Sequence, residues 1–202
     1  MKKNKFKKPF LIGITGSFGT GKSLVGSILK SQKIFVIDTD EIVHNILSNK
    51  NNVTKKILKV FGKKVQAKND LINKKILADV VFNNQAKRKK LESIVHPEVR
   101  KRLLSLIKLN KHKKFVAVLI PLLFESKLER FYDDIWCVTC KEKTQIDRLE
   151  RKGFKLSEIK ARIKSQLFQD KKAKLSDYVI DNSGTIDHTK RQVTKRLRAL
   201  AL

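Results

Sequence analysis

Gly16-Ser17-Phe18-Gly19-Thr20-Gly21-Lys22-Ser23 fits the phosphate-binding pattern G-x-x-x-x-G-K-[ST] without a mismatch. The residues on either side supply the context the pattern needs. Phe10-Leu11-Ile12-Gly13-Ile14-Thr15 is mostly apolar and rich in β-branched residues, as a buried strand is. Leu24, Val25, Ile28 and Leu29 then recur at helical spacing. A glycine-rich turn between a strand and a helix directs backbone N–H groups onto phosphate oxygens, and the helix N-terminus adds its partial positive charge. Gly16, Gly19, Thr20, Gly21, Lys22 and Ser23 are therefore the expected nucleotide contacts. Lys22 reaches the β- and γ-phosphates of a nucleotide in this arrangement, and the Ser23 hydroxyl takes a Mg²⁺ position.

Outward from the loop, strands and helices alternate. Residues 34–37 read as a second strand ending in Asp38-Thr39-Asp40, and a helix through Ile42, Val43, Ile46 and Leu47 follows. Residues 53–110 read as helices only, with apolar faces through Val53, Ile57, Val60 and Phe61 and through Ile72, Ile76, Val80 and Val81. His96-Pro97 is expected to end one helix and start the next. Residues 115–120 form a continuous apolar run, as in a central parallel strand. Residues 135–139 are a fourth strand, 144–169 a basic helical segment, 178–180 a fifth strand and 186–202 a closing helix. The expected fold is α/β: a doubly wound parallel five-stranded sheet of the phosphate-loop NTPase type, with an inserted helical subdomain and a helical lid. At 202 residues the chain suits one such domain.

Composition narrows the class. No apolar run approaches the roughly 18 residues of a membrane span, and no cleavage site follows the five lysines of residues 1–8, so a cytoplasmic protein with a loosely held basic tail is expected. Lys and Arg number 47 against 19 Asp and Glu, a net charge of +28. Such an excess favours polyanions, but it is spread along the chain without a nucleic-acid-binding signature, so no specific nucleic acid is expected. Cys137 and Cys140 imitate a redox Cys-x-x-Cys. They fall in a strand-like run where a helix N-terminus would be needed to stabilise the thiolate, and they read as buried thiols. Oligomeric state is not legible.

In parallel sheets, ligands gather at the C-terminal ends of strands. Asp38 and Asp40 end the second strand, two residues apart and so on one side of it. One can order Mg²⁺ through water while the other accepts a proton from an attacking hydroxyl; alternatively, Thr39 or Asp40 caps the following helix. Ile120 is followed by Pro121, so the acid that many ATPases place at the end of this strand is missing. No guanine-selecting N-K-x-D occurs. Both absences favour a small-molecule kinase over a switch or a motor. Arg148 and Arg151, with Arg162 and Gln166 beyond, are candidates for stabilising charge on the transferred phosphoryl group. His96 fits a cap or a substrate hydrogen bond as well as a base.

These stretches together resemble the dephospho-CoA kinase family. The resemblance rests on residues 13–23, Ile37-Asp38-Thr39-Asp40, His96-Pro97, Pro121-Leu122-Leu123-Phe124-Glu125, residues 145–151 with Arg162 and Gln166, and residues 177–182, in family order. It implies transfer of the γ-phosphoryl of ATP to the 3′-hydroxyl of dephospho-CoA. It implies that Gly19 to Leu24 bind the phosphates, that Asp40 activates the hydroxyl, that Arg148 belongs to a lid over residues 144–169 and that Asn182 lies towards the adenine. Residues 49–111 would form the CoA-side insertion, with His96, Leu122 and Leu123 shaping the acceptor pocket. Ser17 and Thr39 depart from the family's usual Gly and Ala.

Overall fold

The computed structural model describes residues 8–82 and 84–201. Residues 1–7 of the expected basic tail, and Leu202, to which the closing helix was expected to run, lie outside the described residues.

The chain separates into two compact units. One runs up to Ile37 and resumes at Asn110, and the other is Asp38–Leu109. The first contains the sheet. Its strands are β1 (Phe10–Thr15), β2 (Phe35–Asp38, whose last residue is counted with the other unit), β3 (Phe115–Leu119), β4 (Asp134–Thr139) and β5 (Tyr178–Asp181). Their order is β2-β3-β1-β4-β5, all parallel, as expected from the alternating pattern. Ile12 of β1 pairs with Ala117 on one side and Asp134 on the other, so β1 is central.

Alternation along the central strands divides the core between two faces. On one, Ile12, Ile14, Phe115, Ala117, Leu119, Trp136 and Val138 pack with α1 (Lys22–Ser31) and α9 (Ile186–Ala201) through Val25, Ile28, Leu29, Val193 and Leu197. On the other, Gly13 leaves room for Leu123 and the Tyr132 ring, since a Cβ there would lie 2.9 Å from atoms of both.

The buried start of β4 is polar. Asp134 accepts from the Trp136 indole N–H at 2.5 Å and takes the Arg196 guanidinium on both carboxylate oxygens, at 3.0 and 2.5 Å. Arg196 also lies over the Tyr178 ring. Asp134 thus begins β4, one residue earlier than the apolar run suggested.

The second unit is helical: α2 (Thr39–Leu47), α3 (Asn52–Phe61), α4 (Lys74–Phe82) and α5 (Gln85–Leu109). Asn51 caps α3 through the N–H groups of Val53 and Thr54, while the Thr54 hydroxyl accepts from the Asn51 N–H. Two expected apolar faces are corrected. Val60 is 45% exposed and Ile76 39%, while Val65 and Leu77 are buried in their stead. A pair of 3₁₀ turns and an antiparallel bridge between Gln66 and Ile72 occupy the intervening stretch, which resets the helical phase.

The expected break at His96-Pro97 does not occur: α5 runs through Pro97 without ending. Loss of one N–H donor is tolerated within 25 residues of helix packed against α2, α3 and α4. Conversely, the single helical segment expected over residues 144–169 is broken. It comprises α6 (Glu142–Glu150) and α7 (Leu156–Lys164), separated by Gly153 at φ 85°, and α8 (Gln169–Lys174) follows.

Two outcomes follow from this packing. Asp134→Ala leaves the Trp136 N–H and the Arg196 guanidinium without their shared acceptor, and urea denaturation should report a loss of about 2–4 kcal/mol. Burial pushes the Cys137 thiol up to about 11, and Cys140 in the same direction. Both are therefore neutral thiols at pH 8, and a thiol-reactive chromogenic disulfide should label neither until the protein is unfolded.

Candidate active site

The sheet unit carries residues 16–23 directly after β1. Gly16, Gly19 and Gly21 have φ values of 149°, 84° and 98°. Gly21 is the N-cap residue of α1, in left-handed conformation, and the helix starts without a side-chain cap. A Cβ on Gly21 would sit 1.9 Å from Asn182 Nδ2, so glycine is required by space as well as by backbone angle. Thr20 is buried, and its hydroxyl donates to the Ser17 carbonyl at 3.0 Å. The Lys22 ammonium curls back onto the carbonyls of Gly16 and Ser17, at 2.9 and 3.0 Å. Ser23 is exposed at the start of α1. Leu24 is half-buried behind it.

Asn182, at the end of β5, is almost wholly buried. Its Nδ2 donates to the Thr20 carbonyl at 2.8 Å and its Oδ1 accepts from Thr189 at 2.9 Å. The side chain is thereby committed to bracing the loop from beneath, a role the sequence does not announce. Asp181 beside it accepts from both the N–H and the hydroxyl of Ser183, and these bonds hold its carboxyl below the usual range.

The α6–α7 segment lies on the loop. Leu149 fills the space beside Gly19, where a Cβ would come within 2.6 Å of its Cδ1. Phe18 is held at three points: its N–H donates to Gln166 Oε1 at 2.9 Å, its carbonyl accepts from Gln145 Nε2, and its ring meets Phe154 edge-on with centroids 5.3 Å apart. The Arg162 guanidinium stacks on both rings, 5.1 Å from Phe18 and 4.9 Å from Phe154. From sequence, Gln145 stood only within residues 145–151 of the family resemblance, without a role of its own, and Phe154 was not singled out. A polar residue on an otherwise buried helical face and an aromatic after a glycine were the only signals.

Arg148 stands apart from these satisfied groups. Its Nη1 is buried and has no hydrogen-bond partner. The same atom lies 3.8 Å from where a Cβ would sit on Gly21. A buried guanidinium nitrogen beside an uncapped helix start and a nest of left-handed glycines suits an anion with several oxygens.

The remaining candidates divide between the units. Leu122 is 37% exposed on the turn after β3, whereas Leu123 is fully buried against Gly13. In the helical unit, Asp38 caps α2 by accepting from the Asp40 N–H at 2.9 Å, so neither Thr39 nor Asp40 is the cap. Asp40 is an exposed residue in the first turn of α2, and the expectation of two carboxylates alternating along one strand is corrected accordingly. The strand stops at Asp38 because its carboxylate initiates the helix. His96 is exposed in the interior of α5, which removes the expected capping role. Among the described residues no group of three or more His, Cys, Asp or Glu could hold a metal by itself, and no helix is long and apolar enough to cross a membrane.

Comparison with known proteins gives this geometry a family. The dephospho-CoA kinase family model matches residues 10–188. A dephospho-CoA kinase from Carboxydothermus hydrogenoformans is 39% identical over 186 residues, covering 91% of this chain and 90% of its own. One from Bacillus cereus is 39% identical over 192 residues, at 91% and 93% coverage. Among solved structures, a Thermus thermophilus protein superposes with a TM-score of 0.85 at 29% identity, covering 97% of this chain and all of its own. The dephospho-CoA kinase of Campylobacter jejuni gives 0.69 at 29% identity, with 94% and 96% covered. Acinetobacter baumannii shikimate kinase, at 13% identity and a TM-score of 0.54, shares the fold alone. Since the family match begins in the first strand and continues into the last helix, with relatives aligned along most of both chains, the chain belongs to the dephospho-CoA kinase family.

Proposed function

We propose that this protein transfers the γ-phosphoryl group of ATP to the 3′-hydroxyl of dephospho-CoA, giving CoA and ADP. Beyond family membership, the reading is supported chiefly by the unpaired, buried Arg148 Nη1 beside Gly21. A site that leaves a guanidinium nitrogen dry and without a partner awaits an anion.

In this mechanism, the N–H groups of residues 19–24 hold the phosphates, and Lys22 exchanges the Gly16 and Ser17 carbonyls for phosphate oxygens. Arg148 stabilises charge on the equatorial oxygens of the moving group. Asp40 takes the proton of the acceptor hydroxyl as its oxygen forms a bond to the γ-phosphorus; the bond from that phosphorus to the bridging oxygen breaks, and ADP leaves. Bound Mg²⁺ supplies charge neutralisation at the phosphates. Ser23 would hold it directly and Asp38 through water, which suits an ion that keeps several waters and needs few protein ligands. Asn182 acts on the nucleotide side by fixing Thr20. His96 and Leu122 contact the acceptor, with Leu123 supporting Leu122 from the core. Residues 49–111 form the acceptor-side insertion and residues 144–169 the lid. The reaction is cytoplasmic, without a specific nucleic acid, and the distributed positive charge draws in anionic substrates.

The reading is tested by ADP release in the presence of dephospho-CoA and of other hydroxyl acceptors. Stimulation by dephospho-CoA above the others is expected, and its absence overturns the assignment. Asp40→Asn should lower kcat by about 10²–10⁴-fold while ATP affinity changes little, because proton acceptance begins only as the hydroxyl attacks. Arg148→Met should lower kcat/KM by about 10²–10³-fold, the loss expected for one preorganised donor to developing charge.

A further inference from the structure

Lys172, on α8, has no exposed side-chain surface. Its Nζ donates to the Pro121 carbonyl at 2.7 Å and pairs with Glu125 Oε1 at 2.9 Å. Pro121 and Glu125 flank Leu122 and Leu123 within the turn over residues 121–127 that follows β3. One ammonium therefore bonds that turn on both sides of Leu122 and Leu123. Both acceptors also bind elsewhere. The Pro121 carbonyl accepts from the hydroxyl of Thr15, the residue before Gly16, at 3.3 Å. Glu125 Oε1 accepts the N–H of Leu167, in the connection between α7 and α8, at 2.9 Å.

Burying a lysine completely costs several kcal/mol, and its partner Glu125 keeps contact with solvent, so the pair recovers only part of that cost. Stability therefore gives little reason to keep this charge. Its distinctive property is geometric, as a point donor with three protons serving two acceptors on one turn. We propose that Lys172 is a positioning residue for phosphoryl transfer: it sets the shape of the turn at residues 121–125 and ties it to the connection between α7 and α8. The turn that presents Leu122 and the segment that bears Arg162 and Gln166 are then held in one register with the end of β1. The proposal rests on the kinase reading above.

The test is the double variant Lys172→Met/Glu125→Gln, since Lys172→Met alone leaves the Glu125 carboxylate, whose side chain keeps 23% of its surface in solvent, beside an apolar side chain and without its cation. The double variant should melt at or above the temperature of the unaltered protein and bind a fluorescent ADP analogue within about twofold of it, yet lose about 10- to 100-fold in kcat/KM for dephospho-CoA, the penalty for a misplaced reactant. In the same variant, native-state hydrogen exchange at the Leu167 amide should quicken. A folded double variant with unaltered kcat/KM overturns the proposal, as does an equal loss in ADP-analogue binding, which would mark a general structural role. If the unaltered protein does not act on dephospho-CoA, the kinase reading fails by itself. Leu167 exchange then decides separately whether Lys172 ties the two segments, and an unchanged rate refutes it.

Discussion

A peptide with no room for a side chain marks the tightest contact of the glycine-rich loop. Asn182 reaches from the end of β5 to the Thr20 carbonyl and passes so close to Gly21 that any Cβ would overlap its amide nitrogen. Both heteroatoms of that buried amide are used, the second by Thr189 of α9, so the contact carries no orphaned polar group. The first turn of α1, the last residues of β5 and the closing helix are thus fixed with respect to one another through a single side chain.

Around that brace, polar groups fall into two kinds. Most are paired to completion: Gln145 and Gln166 occupy the main chain of Phe18, Gln169 bonds both the N–H and the carbonyl of Cys140, and Asp134 is shared between Trp136 and Arg196. Arg148 is the contrast. Leaving a buried donor unmade costs about 1–3 kcal/mol, a cost that binding of a phosphate would recover. Satisfied supporting groups around one unsatisfied donor are the arrangement that preorganised binding of an anion requires.

Much of the sheet was legible because parallel strands covered on both faces must be apolar throughout, and residues 10–15 and 115–119 satisfy that rule with few other solutions. The glycine-rich loop was legible for a related reason, since only glycine adopts three such backbone angles in eight residues. The helical unit was less readable. Periodicity assumes one unbroken helix, and the turns between residues 62 and 73 shift the phase, so that Leu77 faces inwards where Ile76 was expected to. Pro97 misled because a proline marks a boundary only when the helix has no neighbours to hold it.

By itself, the sequence determined the order of strands and helices, the phosphate-binding loop, the lack of an acid after β3 and the family those motifs resemble. These are local patterns, set by backbone sterics and by which side chains avoid water. Tertiary structure alone decided that Asn182 braces the loop, that Arg148 has a buried nitrogen to spare, and that Lys172, one lysine in a chain crowded with them, is among the described residues the one taken wholly out of solvent. Their partners lie far away along the chain: 162 residues separate Asn182 from Thr20, and 51 separate Lys172 from Pro121. No periodicity or spacing encodes such pairings, because which lysine loses its water depends on where the sheet places a carbonyl and a carboxylate.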